Sequence, residues 1–180
     1  MFKYVGDISK IAQNIINTYS EARHIAVDCT LGNGFDCDFL SERFKKVYAF
    51  DIQEEAIDNY KKRNMANVTL IHDSHENVKQ YIQEEIDVAM YNLGFLPGGD
   101  KSITTKSHSS LKSINASLEL LKSGGFVTIA VYVGHAEGQK ESEALLKFVT
   151  SLPKNTFGVM IHSFANRDPK APYLIIIEKK

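Results

Sequence analysis

The last two strand-like runs of this 180-residue chain, Thr156–Phe164 and Tyr173–Glu178, are separated only by the eight residues Ala165–Pro172. A parallel crossover needs a dozen or more residues, usually including a helix, so these two strands must pair antiparallel. Upstream the pattern differs. Strands are predicted at His24–Cys29, Val47–Phe50, Val68–His72, Ile86–Tyr91 and Phe126–Val133. Helices are predicted between them at Asp36–Phe44, Glu54–Asn64, Glu76–Glu85 and Ser107–Lys122, with a further one at Gly138–Leu152. A first helix is expected from Asp7 to Tyr19, where Ile8, Ile11, Ala12, Ile15 and Tyr19 recur at helical spacing behind Asp7 as N-cap. The strand runs are rich in Val, Ile and Ala without polar alternation, as expected for strands buried on both faces. Strand–helix alternation implies right-handed crossovers and a doubly wound sheet. The expected fold is therefore α/β and Rossmann-like: seven strands, the last antiparallel, with helices on both faces.

Length and the absence of repeats or Pro/Ser linkers point to one domain over residues 1–180. Two cysteines, Cys29 and Cys37, are too few for a disulfide scaffold. No run approaches the roughly 20 apolar residues of a membrane span. The opening Met1-Phe2-Lys3-Tyr4-Val5-Gly6-Asp7 lacks the apolar core of a signal peptide, so a cytoplasmic protein is expected. A net charge of −1 argues against a strongly basic nucleic-acid binder and leaves room for a local basic patch.

The segment Val27-Asp28-Cys29-Thr30-Leu31-Gly32-Asn33-Gly34-Phe35-Asp36 reads as a strand, a Gly-rich turn and a helix start. Ligands of open α/β sheets bind beyond the carboxyl ends of the strands. Cys37 stands where a dinucleotide fingerprint needs its third glycine, and the Lys-Ser/Thr of a phosphate loop is absent. Asp28 and Asp36 flank the turn, where they would repel a pyrophosphate and favour a cation. S-adenosylmethionine, with its sulfonium and ammonium groups, meets that requirement. Asp51, which ends the second strand, lies 51 − 28 = 23 residues after Asp28. That is close to the roughly 20-residue offset of a ribose-binding acid.

After the third strand, His72-Asp73-Ser74-His75-Glu76 superficially resembles a metal cluster, but metal sites usually gather ligands from several segments. Asp73, Ser74 and His75 are better placed on the adenine side of a nucleoside pocket, with no metal expected. The run Tyr91-Asn92-Leu93-Gly94-Phe95-Leu96-Pro97-Gly98-Gly99-Asp100 follows a buried strand and suits a loop shaped around a substrate. Asn92 offers a carbonyl acceptor and an amide donor there. The basic stretch beyond it contains Lys101 and Lys106.

Taken together, the pattern resembles the class I S-adenosylmethionine-dependent methyltransferases. Within them it closely resembles the YtqB-like proteins, a small family long labelled rRNA methylases. The resemblance runs through Asp28–Asp36, Phe50–Gln53, His72–Glu76, Asn92–Asp100, Tyr132-Val133-Gly134-His135 and Asn166–Pro172. It implies a methyltransferase acting on the 5-aminomethyl group of the tRNA wobble (2-thio)uridine, with S-adenosylhomocysteine as product. It also implies cofactor contacts at Asn33, Asp36, Asp51, Gln53, Ser74 and His75, to which Asp28, Thr30, Gly32, Gly34 and Asp73 are added from the loops themselves. The Asp/Asn-Pro-Pro-Tyr motif of other amino methylases is replaced by Asn92-Leu93-Gly94-Phe95.

An alkyl amine attacks a sulfonium methyl only as the neutral amine, so the site must position it and accept its proton. Asn92 and the Leu93 carbonyl are the expected orienting groups and His135 the expected proton acceptor. Gly94, Lys101, Lys106 and Arg167 are expected to contact substrate. Between Asp100 and Lys122 there are four lysines against two acids, and between Pro153 and Lys180 five Lys/Arg against two. Both segments are expected to flank the mouth and dock the anticodon region of tRNA, with a homodimer extending the surface. The alternatives on the same fold are an rRNA or small-molecule methyltransferase and a non-catalytic nucleotide-binding module. An NAD-dependent reductase ranks last for want of the third glycine.

Overall fold

β1 (Ile25–Asp28) begins where Asp87, near the start of β4 (Ile86–Leu93), accepts the N–H groups of His24 and Ile25 at 2.6 and 2.7 Å. Asp87 is 2% exposed, and the Lys122 ammonium lies 3.3 Å from its other oxygen. In this computed structural model, which describes residues 2–95 and 103–180, that anchor sets the middle of a seven-stranded sheet. The remaining strands are β2 (Lys46–Asp51), β3 (Val68–His72), β5 (Leu121–Val131), β6 (Phe157–His162) and β7 (Tyr173–Lys179). Their order is β3-β2-β1-β4-β5-β7-β6. β1 to β5 pair in parallel, and β7 runs antiparallel to both β5 and β6, as the short final connection requires.

Among the described residues six helices cover the two faces: α1 (Ile8–Tyr19), α2 (Phe35–Ser41), α3 (Glu54–Lys61), α4 (Val78–Tyr81), α5 (Ser107–Leu120) and α6 (Ala136–Thr150). The first three bury Ile11, Ile16, Leu40 and Tyr60 against Ala26, Val47 and Val88. The last three bury Val78, Ile114, Leu118 and Leu145 against Val27, Ile129 and Ile175. Asp7 caps α1, accepting the Ser9 N–H at 2.9 Å, which is the expected start. Cys29 and Cys37 are free thiols buried on opposite faces of the sheet. Among the described residues no helix is long and apolar enough to cross a membrane.

Three of the boundaries that differ from expectation have local reasons. The helix expected at Glu76–Glu85 is a 3-10 turn, His75–Asn77, followed by the single turn of α4. The backbone becomes extended at Ile82 (φ −118, ψ 116), whose side chain is buried in the core. α2 ends at Ser41, after which the N–H groups of Arg43 and Phe44 both turn back to the Leu40 carbonyl. β5 starts at Leu121 rather than Phe126, because Leu121 pairs with Ile86 across a register irregularity.

Replacing Asp87 with Ala strips the acceptor from two N–H groups at a strand start. Hydrogen bonds to a charged partner contribute about 1.5–3 kcal/mol each, and a buried orphan donor adds its own penalty. Urea denaturation of Asp87→Ala should show a loss of about 3 kcal/mol with an unchanged m-value.

Candidate active site

β1 and β4 are neighbours although β2 and β3 come between them in sequence, so the crossovers after β1 and β4 leave towards opposite sides. A crevice opens beyond the carboxyl ends at such a reversal. Here it is a cavity of about 1140 Å³. Its floor is the loop after β1, pinned by three backbone contacts. The Leu31 N–H donates to the Phe50 carbonyl at 2.9 Å, the Gly32 N–H to Asp51 Oδ2 at 2.8 Å, and the Gly34 N–H to the Leu31 carbonyl at 2.7 Å. Gly34 has φ +80, and a Cβ there would meet the Tyr60 ring at 2.3 Å, so only glycine fits. Arg63 holds the same loop from outside. It donates to the Asn33 and Gly34 carbonyls, pairs with Asp38 and lies over the Tyr60 ring.

One end of the cleft is built by β2 and β3. Asp51 Oδ1 accepts the Gln53 N–H at 2.9 Å while Oδ2 holds Gly32, which fixes the carboxylate with lone pairs to spare for hydroxyl donors. Asp73 accepts from Tyr81 Oη, the Ser74 N–H and Asn77. Burial alone would raise its pKa, and these hydrogen bonds outweigh it and hold the carboxyl below its usual range. Ser74 caps the 3-10 turn. His75 is buried edge-on to Tyr91, and burial pushes its pKa down to about 4, so the ring is neutral at physiological pH.

The other end lies under α1. Asn92, near the end of β4, receives Ser9 Oγ on its carbonyl oxygen at 3.2 Å and donates its amide to Asp36. Its backbone N–H donates to Thr30 Oγ1 at 2.8 Å. Asp36 also accepts Gln13 Nε2 at 2.6 Å. Burial raises the Asp36 pKa, although both amide donors favour its charged form. Below it, Asp28 is fully buried, and burial followed by the Asp36 charge pushes its carboxyl well up.

The cleft thus gathers Thr30, Gly32, Asn33, Asp36, Asp51, Gln53, Asp73, Ser74, His75, Asn92, Leu93, Gly94 and Lys106 along its lining. Its carboxylates, Asp7, Asp36, Asp38, Asp51, Asp73 and Glu76, outnumber its lysines, Lys10 and Lys106, so the site favours a cationic ligand. Asp28 and Gly34 support the loop from beneath without lining the cavity. Lys101 and the Leu96–Asp100 run lie outside the described residues.

Two expected residues are elsewhere. His135 is absent from the lining; its Nδ1 accepts the Gly138 N–H at 3.1 Å and caps α6. A neutral ring accepting at Nδ1 carries its proton on Nε2, so it has no free lone pair with which to act as a base. Arg167 donates to the Val5 carbonyl at 3.0 Å and stacks on Phe164, and it is not among the residues lining the cavity. Much of the expected basic surface is also engaged or turned away. Lys112 pairs with Glu76, Lys122 lies against Asp87, and Lys179 donates to the Leu118 and Leu121 carbonyls. Because β7 is antiparallel, Lys179 at its end and Lys154 before β6 sit at the amino ends of the parallel strands, opposite the cleft.

Sequence reading missed the α1 contribution of Ser9, Lys10 and Gln13. The signal was present: Ser9 and Gln13 are four residues apart and share one helix face. Arg63 carries no comparable signal. Among the described residues no three His, Cys, Asp or Glu side chains gather as a metal site. In the His72–Glu76 run, His72 Nε2 contacts the Ile52 carbonyl at 3.0 Å while His75 is buried.

Residues 47–178 match the family described as "Putative rRNA methylase". The chain belongs to this family. A Streptococcus mutans protein described as "a putative methyltransferase" and solved in complex with SAH is 37% identical, covering 98% of this chain and 99% of that one, with a TM-score of 0.90. A Clostridium thermocellum protein titled in the family's words is 34% identical over 98% and 99% of the two chains, with a TM-score of 0.93. A curated relative, the chloroplastic tRNA (mnm(5)s(2)U34)-methyltransferase of Arabidopsis thaliana, is 32% identical over 172 residues, 86% of this chain. The chain spans 62% of that relative's length. Membership makes this protein a methyltransferase.

The neutral His75 has a consequence for stability. Its folded pKa of about 4 lies below the roughly 6.5 of a free histidine, so the unfolded chain binds the extra proton between those values. Its contribution is therefore full above pH 6.5 and is lost as pH falls to 4, a change on the order of 3 kcal/mol. Urea denaturation at pH 7 and pH 4.5 should show a shallower pH dependence for His75→Gln than for the wild type.

Proposed function

We propose that this methyltransferase uses S-adenosylmethionine to methylate RNA, and that its acceptor is the 5-aminomethyl group of the wobble (2-thio)uridine of tRNA. The observation that carries the reading is the acid-lined, two-ended cleft. Its volume of about 1140 Å³ exceeds the roughly 300–1,000 Å³ of most small-ligand pockets. The Streptococcus mutans relative was solved with SAH, and the name of the Arabidopsis relative specifies the tRNA nucleoside.

The residues present fit the cofactor. Asp51, fixed by Gly32 and Gln53, faces the cleft with acceptor capacity for ribose hydroxyls. Asp73–His75 supply the adenine side, and the carboxylate excess suits a molecule with two cationic centres and no phosphate. When bound, S-adenosylmethionine supplies an electrophilic methyl group on a sulfonium.

At the other end, Asn92 is held by Ser9 and Asp36, so its role is to fix the neighbouring carboxylate while the Leu93 and Gly94 backbone orients the acceptor. His135 has no part in this mechanism. Phe35, 73% exposed on the cleft lining, offers a face on which a base can stack, and Lys10 and Lys106 on the same lining supply positive charge for phosphates. The same reading takes residues 1–180 as one domain working in the cytoplasm, on the anticodon region of tRNA, with a homodimer as the acting species.

The test is transfer of labelled methyl to tRNA bearing 5-aminomethyluridine, beside unmodified tRNA, with nucleoside mass analysis of the product. Label is expected on the aminomethyl tRNA alone. Asp51→Ala should weaken SAH binding at least tenfold and transfer with it. Label on neither tRNA with SAH binding intact would redirect the search to rRNA or small-molecule amines. Absence of SAH binding in the wild type would overturn the cofactor reading.

A further inference from the structure

Glu141 lies in the second turn of α6, is 1% exposed and is absent from the cavity lining. Among the described residues no Lys, Arg or His side chain forms an ion pair with it. Two hydroxyls hold it instead: Ser110 Oγ donates to Oε1 at 2.6 Å and Thr105 Oγ1 to Oε2 at 2.8 Å. Apolar groups of similar volume would join α5 to α6 without the desolvation penalty of a buried carboxylate. The two hydroxyls differ in what they secure. Ser110 is buried in the first turn of α5 and ties helix to helix. Thr105 precedes α5 and lines the cleft, and the intervening N-cap, Lys106, supplies no side-chain cap. Glu141 therefore reaches past the helix it packs on and holds a wall of the cleft.

Thr105 passes that hold to the end of β4. Its N–H donates to the Gly94 carbonyl at 3.0 Å, and its neighbour Thr104 forms an antiparallel bridge with Phe95. The Phe95 ring centroid stands 5.5 Å from that of His135, the N-cap of α6. Gly94 has φ +152, a conformation that favours glycine and one in which no side chain helps to set the path of the backbone. Its carbonyl is fixed by Thr105 instead. Gly94 and Phe95 line the cleft directly after Asn92 and Leu93. β4 adjoins β1 on the side away from β2 and β3, whose ends carry Asp51 and Asp73. With the cofactor's nucleoside at the β2–β3 end, the wall held by Glu141 faces the end left to the methyl acceptor.

Resting on the function proposed above, we propose that Glu141 is a positioning residue for methyl transfer: through Thr105 it fixes the Gly94 carbonyl, and with it the backbone that aligns the acceptor amine. In-line attack on a sulfonium methyl needs the reacting atoms aligned at about 3–3.5 Å, and a misplacement of about 1 Å can cost about 100-fold in rate. Glu141 does not line the cavity, so its loss should slow transfer and leave the binding of cofactor and RNA largely intact.

The experiment measures kcat and KM on tRNA bearing 5-aminomethyluridine, together with calorimetric SAH affinity and urea stability. The proteins are wild type, Thr105→Val, Thr105→Ser, Glu141→Leu and the double variant Glu141→Leu/Thr105→Val, each assayed below the onset of its unfolding. Thr105→Val removes the hydroxyl at nearly constant volume. It should lose about tenfold or more in kcat, with KM for tRNA and SAH affinity within about threefold of wild type. Thr105→Ser keeps the hydroxyl and should retain kcat within about threefold. Glu141→Leu should lose at least as much as Thr105→Val, and the double variant should be no slower than Glu141→Leu, because both residues act along one path. If Glu141→Leu does not fold, the contrast between Thr105→Val and Thr105→Ser carries the test.

A Thr105→Ser as slow as Thr105→Val would overturn the proposal, as would losses that multiply in the double variant or that reside in SAH affinity. Failure of the wild type to label aminomethyl tRNA would overturn the function proposed above and this assignment with it. Labelling by the wild type alongside an unchanged kcat in Thr105→Val would overturn the assignment alone and leave Glu141 a packing residue.

Discussion

Parallel hydrogen bonding on both sides of β1 continues beyond its last residue, through Cys29 N–H to the Met90 carbonyl and Leu31 N–H to the Phe50 carbonyl. The loop that follows therefore leaves the sheet already fixed to β4 on one side and β2 on the other. Asp51 extends that hold by accepting the Gly32 N–H, and Tyr60 and Arg63 close it from the α3 side. Because three strands determine where this short loop runs, the backbone at the cleft is ordered before any ligand arrives. Such preorganisation lowers the ordering cost of binding.

The cleft concentrates acids in a protein whose overall charge is nearly neutral. At its floor Asp28 and Asp36 are both buried, and the Asp36 charge adds to burial in raising the proton affinity of Asp28. A fold selected only for stability would replace such a pair with apolar groups, since buried charge rarely repays its desolvation. The Gln13 and Asn92 amides beside Asp36 favour its charged form and so temper that cost.

Much of this was legible in the chain. Eight residues between the last two strands were enough to require the reversed β7, and the Asp28–Asp36 loop and Asp51 pointed to the end of the sheet where the cleft opens. What escaped depended on tertiary partners. The helix expected from Glu76 stops after one turn of α4 because Ile82 is drawn into the core, a competition that periodicity cannot register. His135 follows β5 as a catalytic histidine would, yet the Gly138 N–H two residues into α6 claims its ring nitrogen. Counting lysines by segment overstated the basic surface, since Lys112, Lys122 and Lys179 are engaged internally and strand direction carries Lys154 away from the cleft.

The position of β7 also bears on how the molecule is made. Among the described residues β6 has no neighbour in the sheet other than β7, and β7 fills the place between β5 and β6. During synthesis, β1 to β5 can assemble in parallel while β6 waits, with Met160 and Ile161 on an unpaired strand, until residues 173–179 are delivered. Until β7 arrives, the β5 edge and both sides of β6 stand unpaired, whereas the finished sheet leaves only the outer side of β6 free at that end. A pause before β7 is complete would prolong the exposure of those edges to edge-to-edge association.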